Sequence, residues 1–319
     1  MRKNYLPLSD VQKKRLAILE PRLRNCVPIA DINNAKIITA EIQSLLRNTG
    51  HETRLQQAKN WLYETSIEAN NLTFAKMGLE GTRQKVSPKT RVYLEATALL
   101  AICHLRENEL NKAKFLIHEA VESINNITSE KRKSQFHRRL IIRLEEESIL
   151  AGLIEKNPEE ISIDRVDKEA AHLVMTKNED EILLQLGNHI PKKSIDLLTY
   201  TRETYKNRLP APDYKLLPPP PALDKSELGK RAQSALKRVA WKALCNSESE
   251  LHKAWSEGLS VVHDKKYISA AIITAFGSWS ISGAMIAITM AALAIKFGAE
   301  VFCEIYKPEF LMIDQKDKS

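Results

Sequence analysis

Arg91 to Asn126 reads RVYLEATALLAICHLRENELNKAKFLIHEAVESINN. An apolar segment is followed by the polar stretch Arg106 to Glu109 and then by a second, amphipathic segment. Apolar residues recurring every three or four positions predict a helix on each side of that stretch. A four-residue connection is short enough to make the two helices antiparallel neighbours. The composition agrees with a helical chain. Only 10 of the 319 residues are Gly and 6 % are aromatic, while Leu, Ala, Ile, Glu and Lys dominate, which favours helices over sheets.

The pattern extends upstream. Leu62 and Ala75 repeat Leu100 and Ala113 at a separation of 38 residues, giving a second helix pair over Leu55 to Gly81. Arg91 to Asn126 resembles a tetratricopeptide repeat, a family in which small residues sit where the two antiparallel helices touch: Ala101, Ala113 and Ala120 match those slots and Leu100 and Ile117 its large core positions, with Ala101 where the family has its usual glycine and Asn125 where it has its closing proline. A separation of 38 exceeds the family's period of about 34, which requires an insertion near Arg83 to Lys89. A third unit is expected to begin near Ser134, with its partner at Ile161 to Lys177. The resemblance implies an all-α array whose repeats stack over a shared core and offer a face to a protein partner.

Other stretches place further elements. Asp31 to Arg47 predicts a helix stopped at Asn48-Thr49-Gly50, and Pro7, Pro21 and Pro28 argue against one long helix in the first 30 residues. Helices are expected at Asp164 to Thr176, Asn178 to Leu186 and Lys192 to Asn207. Residues 209–222 carry Pro210, Pro212 and Pro218 to Pro221, which predicts an extended spacer closing a recognition domain of residues 1–208.

Beyond it, Ser226 to Asn246 in the region 223–266 predicts a basic amphipathic helix. Its Lys230, Arg231, Lys237, Arg238 and Lys242 are expected to meet anionic lipid, with a solvated helix packed on its neighbour as the equal alternative. A short helix with Trp255 is expected around Glu248 to Val262.

From Tyr267 to Ile295 the chain carries no charged residue. As one helix this run would be about 43 Å long at ~1.5 Å per residue, enough for a hydrocarbon core about 30 Å thick. A membrane segment over residues 267–296 is therefore expected, with a tail at 297–319. A re-entrant hairpin breaking at Gly277-Ser278-Trp279, and a buried core helix or hairpin of a soluble domain, are the alternatives. Gly283, Ala287, Ala291, Ala294 and Gly298 form a small-residue stripe of the kind that brings helices together in lipid, so a homo-oligomer is expected. No apolar leader precedes the polar part, which places it on the cytoplasmic side of a membrane, tail-anchored.

Chemistry is sparse. Phosphate-cradle and zinc-protease motifs do not occur, the eight histidines form no ligand-spaced pair, and no catalytic constellation, metal site or cofactor is expected. Cys26, Cys103, Cys245 and Cys303 are scattered and read as reduced thiols. Glu145-Glu146-Glu147 read as a solvated face. The net charge of +8 suits an anionic partner, and Arg132, Arg139 and Arg143 share a helix face able to track a phosphate backbone, though no aromatic series accompanies them.

Two functions follow. The first is a membrane-attached helical-repeat protein that binds a protein partner, as an adaptor or as an oligomerising, membrane-perturbing effector like those of bacterial antiviral defence. The second is a soluble α-helical scaffold or nucleic-acid-associated subunit whose apolar hairpin is buried in a partner or dimer. Neither is an enzyme.

Overall fold

The structure is a computed structural model. It describes residues 6–155, 157–206, 224–246, 253, 266–305 and 308–312, so the proline stretch at 209–222 and the helix expected at 248–262 lie outside the described residues apart from position 253. Among the described residues the chain is helical, with one isolated bridge and no strand. Contacts divide it into two compact units, Met1–Ile141 with Asn207–Leu209 and Phe310–Ser319, and Ile142–Lys206 with Pro210–Glu309.

The first unit is built from three helix pairs: α1 (Asp10–Ile29) with α2 (Ile32–Leu46), α3 (Glu52–Glu68) with α4 (Leu72–Lys85), and α5 (Arg91–Arg106) with α6 (Leu110–Glu122). It closes with the first half of α7 (Glu130–Leu153). The expected turn and the pairs expected at Leu55 to Gly81 and Arg91 to Asn126 are present. A third pair at the N-terminus was not expected.

The expectation of broken structure before residue 30 is corrected, because α1 runs through both Pro21 and Pro28. Leu16, Leu19, Leu23 and Val27 lie on one buried stripe, and Ser9 with Gln12 forms a reciprocal cap at the start. Burial of that stripe outweighs the lost backbone bond, which costs about 3 kcal/mol in a helix interior.

The three corners share one geometry. Ala30, Asn70 and Asn108 adopt left-handed backbone at φ of 55°, 58° and 61°. The next residue's N–H then bonds back to Cys26 at 3.0 Å, Ser66 at 2.8 Å and His104 at 2.8 Å, which closes the helix end. Asn tolerates this conformation because its short polar side chain bonds locally, whereas Ala30 carries the Cβ penalty. Asp31 and Asn71 then cap the following helix by accepting from the N–H of Asn34 and Phe74. Five residues past each left-handed position lies a fully buried alanine, Ala35, Ala75 or Ala113.

Each first helix packs on the next, α1 on α3 and α3 on α5, while α2 and α4 lean on α3 and α5 respectively. The result is a layer of first helices beneath a layer of second helices. In helix α5 every residue from Leu94 to Arg106 is buried. Its polar groups are accommodated inside. Arg106 donates to the Ile67 carbonyl at 2.6 Å at the end of α3, and Val92 accepts from Asn60 at 3.0 Å.

The second unit joins the rest of α7 to α8 (Ile163–Thr176), α9 (Glu179–His189), α10 (Lys192–Lys206), α11 (Lys225–Cys245), α12 (Lys266–Ser278), α13 (Ala284–Phe297) and α14 (Ala299–Ile305). One core runs from Ile149 on α7 to Phe302 on α14, so residues on both sides of the proline stretch share it. The expected recognition domain of residues 1–208 is therefore not one core.

Helices α9 and α11 meet at glycines. A Cβ on Gly187 would lie 1.8 Å from the Lys225 carbonyl oxygen, and one on Gly229 would lie 1.9 Å from that of Leu183.

The apolar run is not one helix. It folds as α12 and α13, broken at Trp279 to Gly283, where Ser280 and Gly283 take φ of 54° and 111°. At ~1.5 Å per residue each arm is about 20 Å long, short of the hydrocarbon thickness. Among the described residues no helix is long and apolar enough to cross a membrane. Every residue from Ile286 to Ala294 is buried inside the unit, with α13 packed on α8, α9 and α12.

The polar edges of the run also bind within the unit. Lys266 pairs with Asp164 at 2.9 Å, Ser269 donates to Asp167 at 3.3 Å, and Lys296 donates to the Lys177 carbonyl at 2.6 Å.

Cys245 and Cys303 form a disulfide, with Cα atoms 5.3 Å apart. This corrects the reading of four separate thiols, because α11 and α14 bring together residues 58 apart in sequence. Cys26 and Cys103 are free and buried, and burial pushes the Cys26 thiol up to about 11.

Candidate functional site

In the three second helices the buried alanine opens the same short motif: Ala35-Lys36-Ile37, Ala75-Lys76-Met77 and Ala113-Lys114-Phe115, spaced by 40 and 38 residues. Two residues correspond to about 200° of helix rotation, so a side chain two places past an inward alanine points outward. Ile37, Met77 and Phe115 are accordingly 66 %, 70 % and 67 % exposed. They make one apolar residue per repeat, in equal register, on the outer layer of the first unit.

Two of the lysines between them, Lys36 and Lys76, have a structural use. Lys36 lies over the Phe74 ring of the next pair at 4.9 Å. Lys76 pairs with Glu107 at the following corner, a hydrogen bond that raises its pKa. Arg83 on α4 adds a second staple, donating to Glu119 at 2.6 Å and to the Tyr93 hydroxyl at 3.0 Å. Staples between pairs account for the cations and leave the outward apolar residues unused by the fold.

His104, Glu107 and Glu109 bring three ligand atoms within 4.8 Å of one another at the third corner. His104 bonds Glu109, Lys112 reaches Glu109 at 3.0 Å, and Lys76 holds Glu107, so ammonium groups already neutralise both carboxylates. The corner is an ion-pair clasp.

On the inner layer of the same unit, Glu64 of α3 is 2 % exposed. Its carboxylate accepts the backbone N–H of Leu311 at 2.6 Å and that of Met312 at 3.4 Å. Both of those residues are 1 % exposed.

The residues expected to meet lipid are mostly turned inward. Arg231 donates to Glu145 at 2.5 Å and pairs with Glu227 at 3.0 Å, and Arg238 donates to Glu146 at 2.9 Å. Lys242 lies over the Trp279 ring at 5.2 Å. Burial lowers the Lys237 pKa to about 8, with Glu179 opposing the shift, and only Lys230 of the five is exposed.

Glu145 to Glu147 are likewise buried rather than solvated. Glu145 also accepts from Arg202 Nε at 2.8 Å and from the Tyr205 hydroxyl at 2.6 Å, while Glu146 accepts from Ser234 at 2.8 Å. Such a network is tolerable in a core because each charge meets its opposite across a hydrogen bond.

Of the three arginines expected on a phosphate-tracking face, Arg143 is buried and pairs with Glu147 at 2.8 Å, while Arg132 and Arg139 are half-buried. They do not form one open basic face. The small-residue stripe is also internal. Ala287, Ala291 and Ala294 are buried in the second unit, and Gly283 and Gly298 flank α13 as its caps.

The outward series was legible in sequence, since Ala-Lys followed by a large apolar residue recurs three times. The first copy, Ala35 to Ile37, lies outside the 38-residue match of Leu62 and Ala75 to Leu100 and Ala113. The Glu64 contact has no sequence signal, because it joins residues 247 apart. No protein family matches the chain, and neither any curated protein nor any solved structure matches it.

Proposed function

We propose that this chain acts by binding a protein partner on the outer layer of its tetratricopeptide-like unit, as a scaffold with no chemistry of its own. The observation that carries this reading is the equal register of Ile37, Met77 and Phe115, each about two-thirds exposed. Fully burying one such side chain is worth roughly 1.5–3 kcal/mol. Three burials against a partner therefore supply on the order of 5 kcal/mol, and the three helix pairs space them regularly.

Burial of the apolar hairpin within the chain's own second unit favours the scaffold over the membrane-perturbing effector. That hairpin and the basic helix beside it supply core and ion pairs, so no membrane step enters the proposal.

The test is I37D/M77D/F115D in the full-length tagged chain, with crosslinking in cells and mass spectrometry of what is captured. Proteins crosslinked to the wild type should be lost from the variant while its circular-dichroism melt stays within about 2 °C, because exposed positions contribute little to stability. Recovery of the same proteins at the same yield overturns the reading.

A further inference from the structure

The inner layer carries a second feature, on a different set of residues from the outward series. Segment Phe310–Met312 belongs to the first unit, and Glu64 holds two of its successive backbone N–H groups. Bonds from backbone N–H to a buried carboxylate are charge-assisted and independent of the donor's side chains. Leu311 and Met312 are each 1 % exposed, so their side chains are enclosed as fully as any core residue. A carboxylate that grips two successive backbone donors holds both on one side of the chain, so the segment bends at the grip while its two apolar side chains are enclosed beside it. Main-chain bonds give affinity and side-chain pockets give selectivity.

We propose that the face of the repeat unit around Glu64 is a binding site for a bent segment bearing two successive large apolar residues, and that the chain's own Phe310–Met312 occupies it as a built-in ligand. Any competing segment must match its chemistry: two neighbouring N–H groups free to point at Glu64, an unbranched or γ-branched apolar pair, and no proline at either position, since proline has no N–H. The tether sets the strength of competition. At an effective concentration of about 1 mM, a segment with a Kd of about 10 µM weakens a competitor roughly 100-fold. The site is closed to weak ligands and open to tight ones.

The probe is a fluorescein-labelled peptide of residues 308–319, PEFLMIDQKDKS, read by anisotropy against the full-length chain. Wild type should bind it weakly, and L311D/M312D in the full-length chain, which evicts the segment, should bind it 10-fold to 100-fold more tightly. Adding E64Q to that variant should weaken binding about tenfold, since one acceptor oxygen and the charge are lost. The same peptide carrying Asp at both apolar positions should not bind.

Equal affinity of wild type and L311D/M312D, or no effect of E64Q, overturns the proposal. If L311D/M312D does not fold, hydrogen exchange on wild type decides. The amides of 311 and 312 should be protected and should lose protection in E64Q while α3 and α5 keep theirs; exchange at the unstructured rate in wild type overturns the proposal. Outward variant I37D/M77D/F115D should leave peptide binding unchanged, so either reading can fail without the other.

Discussion

Replacing Glu145 by Gln keeps the side chain's shape and removes its charge from the centre of the second unit. The structure allows the cost to be worked out. Glu145 accepts from Arg202 at 2.8 Å, Arg231 at 2.5 Å and Tyr205 at 2.6 Å, and its side chain is 6 % exposed. The guanidiniums are almost as enclosed, at 9 % and 11 % of the side chain. Water therefore cannot replace the lost carboxylate. Breaking one partner out of a buried ion pair costs about 3–5 kcal/mol, against about 0–1 kcal/mol for an exposed pair. E145Q should fall in the first range.

The measurement is urea unfolding followed by tryptophan fluorescence, with hydrogen exchange on α7, α10 and α11 assigning the loss to this unit. Tyr205 gives a second readout. Burial raises its pKa first, and the neighbouring Glu145 charge raises it further, so E145Q should bring its ionisation down. Replacing the whole group, as E145L/R202M/R231M, should cost far less than E145Q, because apolar residues of similar volume carry no desolvation penalty. A loss below about 1 kcal/mol for E145Q would show the acidic run to be solvated, and the burial argument for α7 would fall with it.

Three further outcomes follow from backbone and charge. Ala30→Gly should stabilise the first unit by about 1 kcal/mol in thermal melts, by relieving a Cβ at φ 55°, and no gain would mean the corner is not left-handed. Gly187→Ala should cost about 3 kcal/mol because the helices must separate, whereas Gly81→Ala, with nothing within 4 Å of its Cβ, should gain about 0.5–1 kcal/mol; equal effects would contradict the close crossing. Lys237 is held near 8 in the fold against 10.5 unfolded, so the unfolded chain binds more protons between those values and stability should rise with pH across that window. K237M should lose that rise, read as urea midpoints at pH 7.5 and 10, and identical slopes would refute the shift.

Helices were legible in the sequence wherever a local signal sufficed. The corner at Asn108 and the boundaries of α2, α8 and α11 follow from periodicity and caps that act within a few residues. Proline misled for α1, because the buried stripe Leu16, Leu19, Leu23 and Val27 outweighs a local rule. The carboxylates misled for a different reason. Glu145 and Glu146 are neutralised by Arg202, Arg231 and Arg238, which lie 57 to 92 residues away, and no local pattern marks such partners. Of the binding faces, the outward series is a sequence repeat and could have been read. The Glu64 contact depends on the last described residues returning to α3, which only three-dimensional structure supplies.

The apolar run shows why composition alone cannot separate core from lipid. A helix that must be apolar all round has the same sequence in either setting. The difference lies in its polar edges, which in a bilayer would seek headgroups or water. Here Lys266, Ser269 and Lys296 bind Asp164, Asp167 and the Lys177 carbonyl, all within one unit. Thr289 in the middle of α13 returns its hydroxyl to the Met285 and Ile286 carbonyls. The hairpin is thus accounted for as framework down to its charged ends. So are Arg231 and Arg238, absorbed by the acidic run, and Lys36 and Lys76, absorbed by the staples between repeats. Three large apolar side chains on the outer layer do no such work, and a carboxylate on the inner layer holds backbone rather than side chain. Both proposed binding faces lie in the first unit.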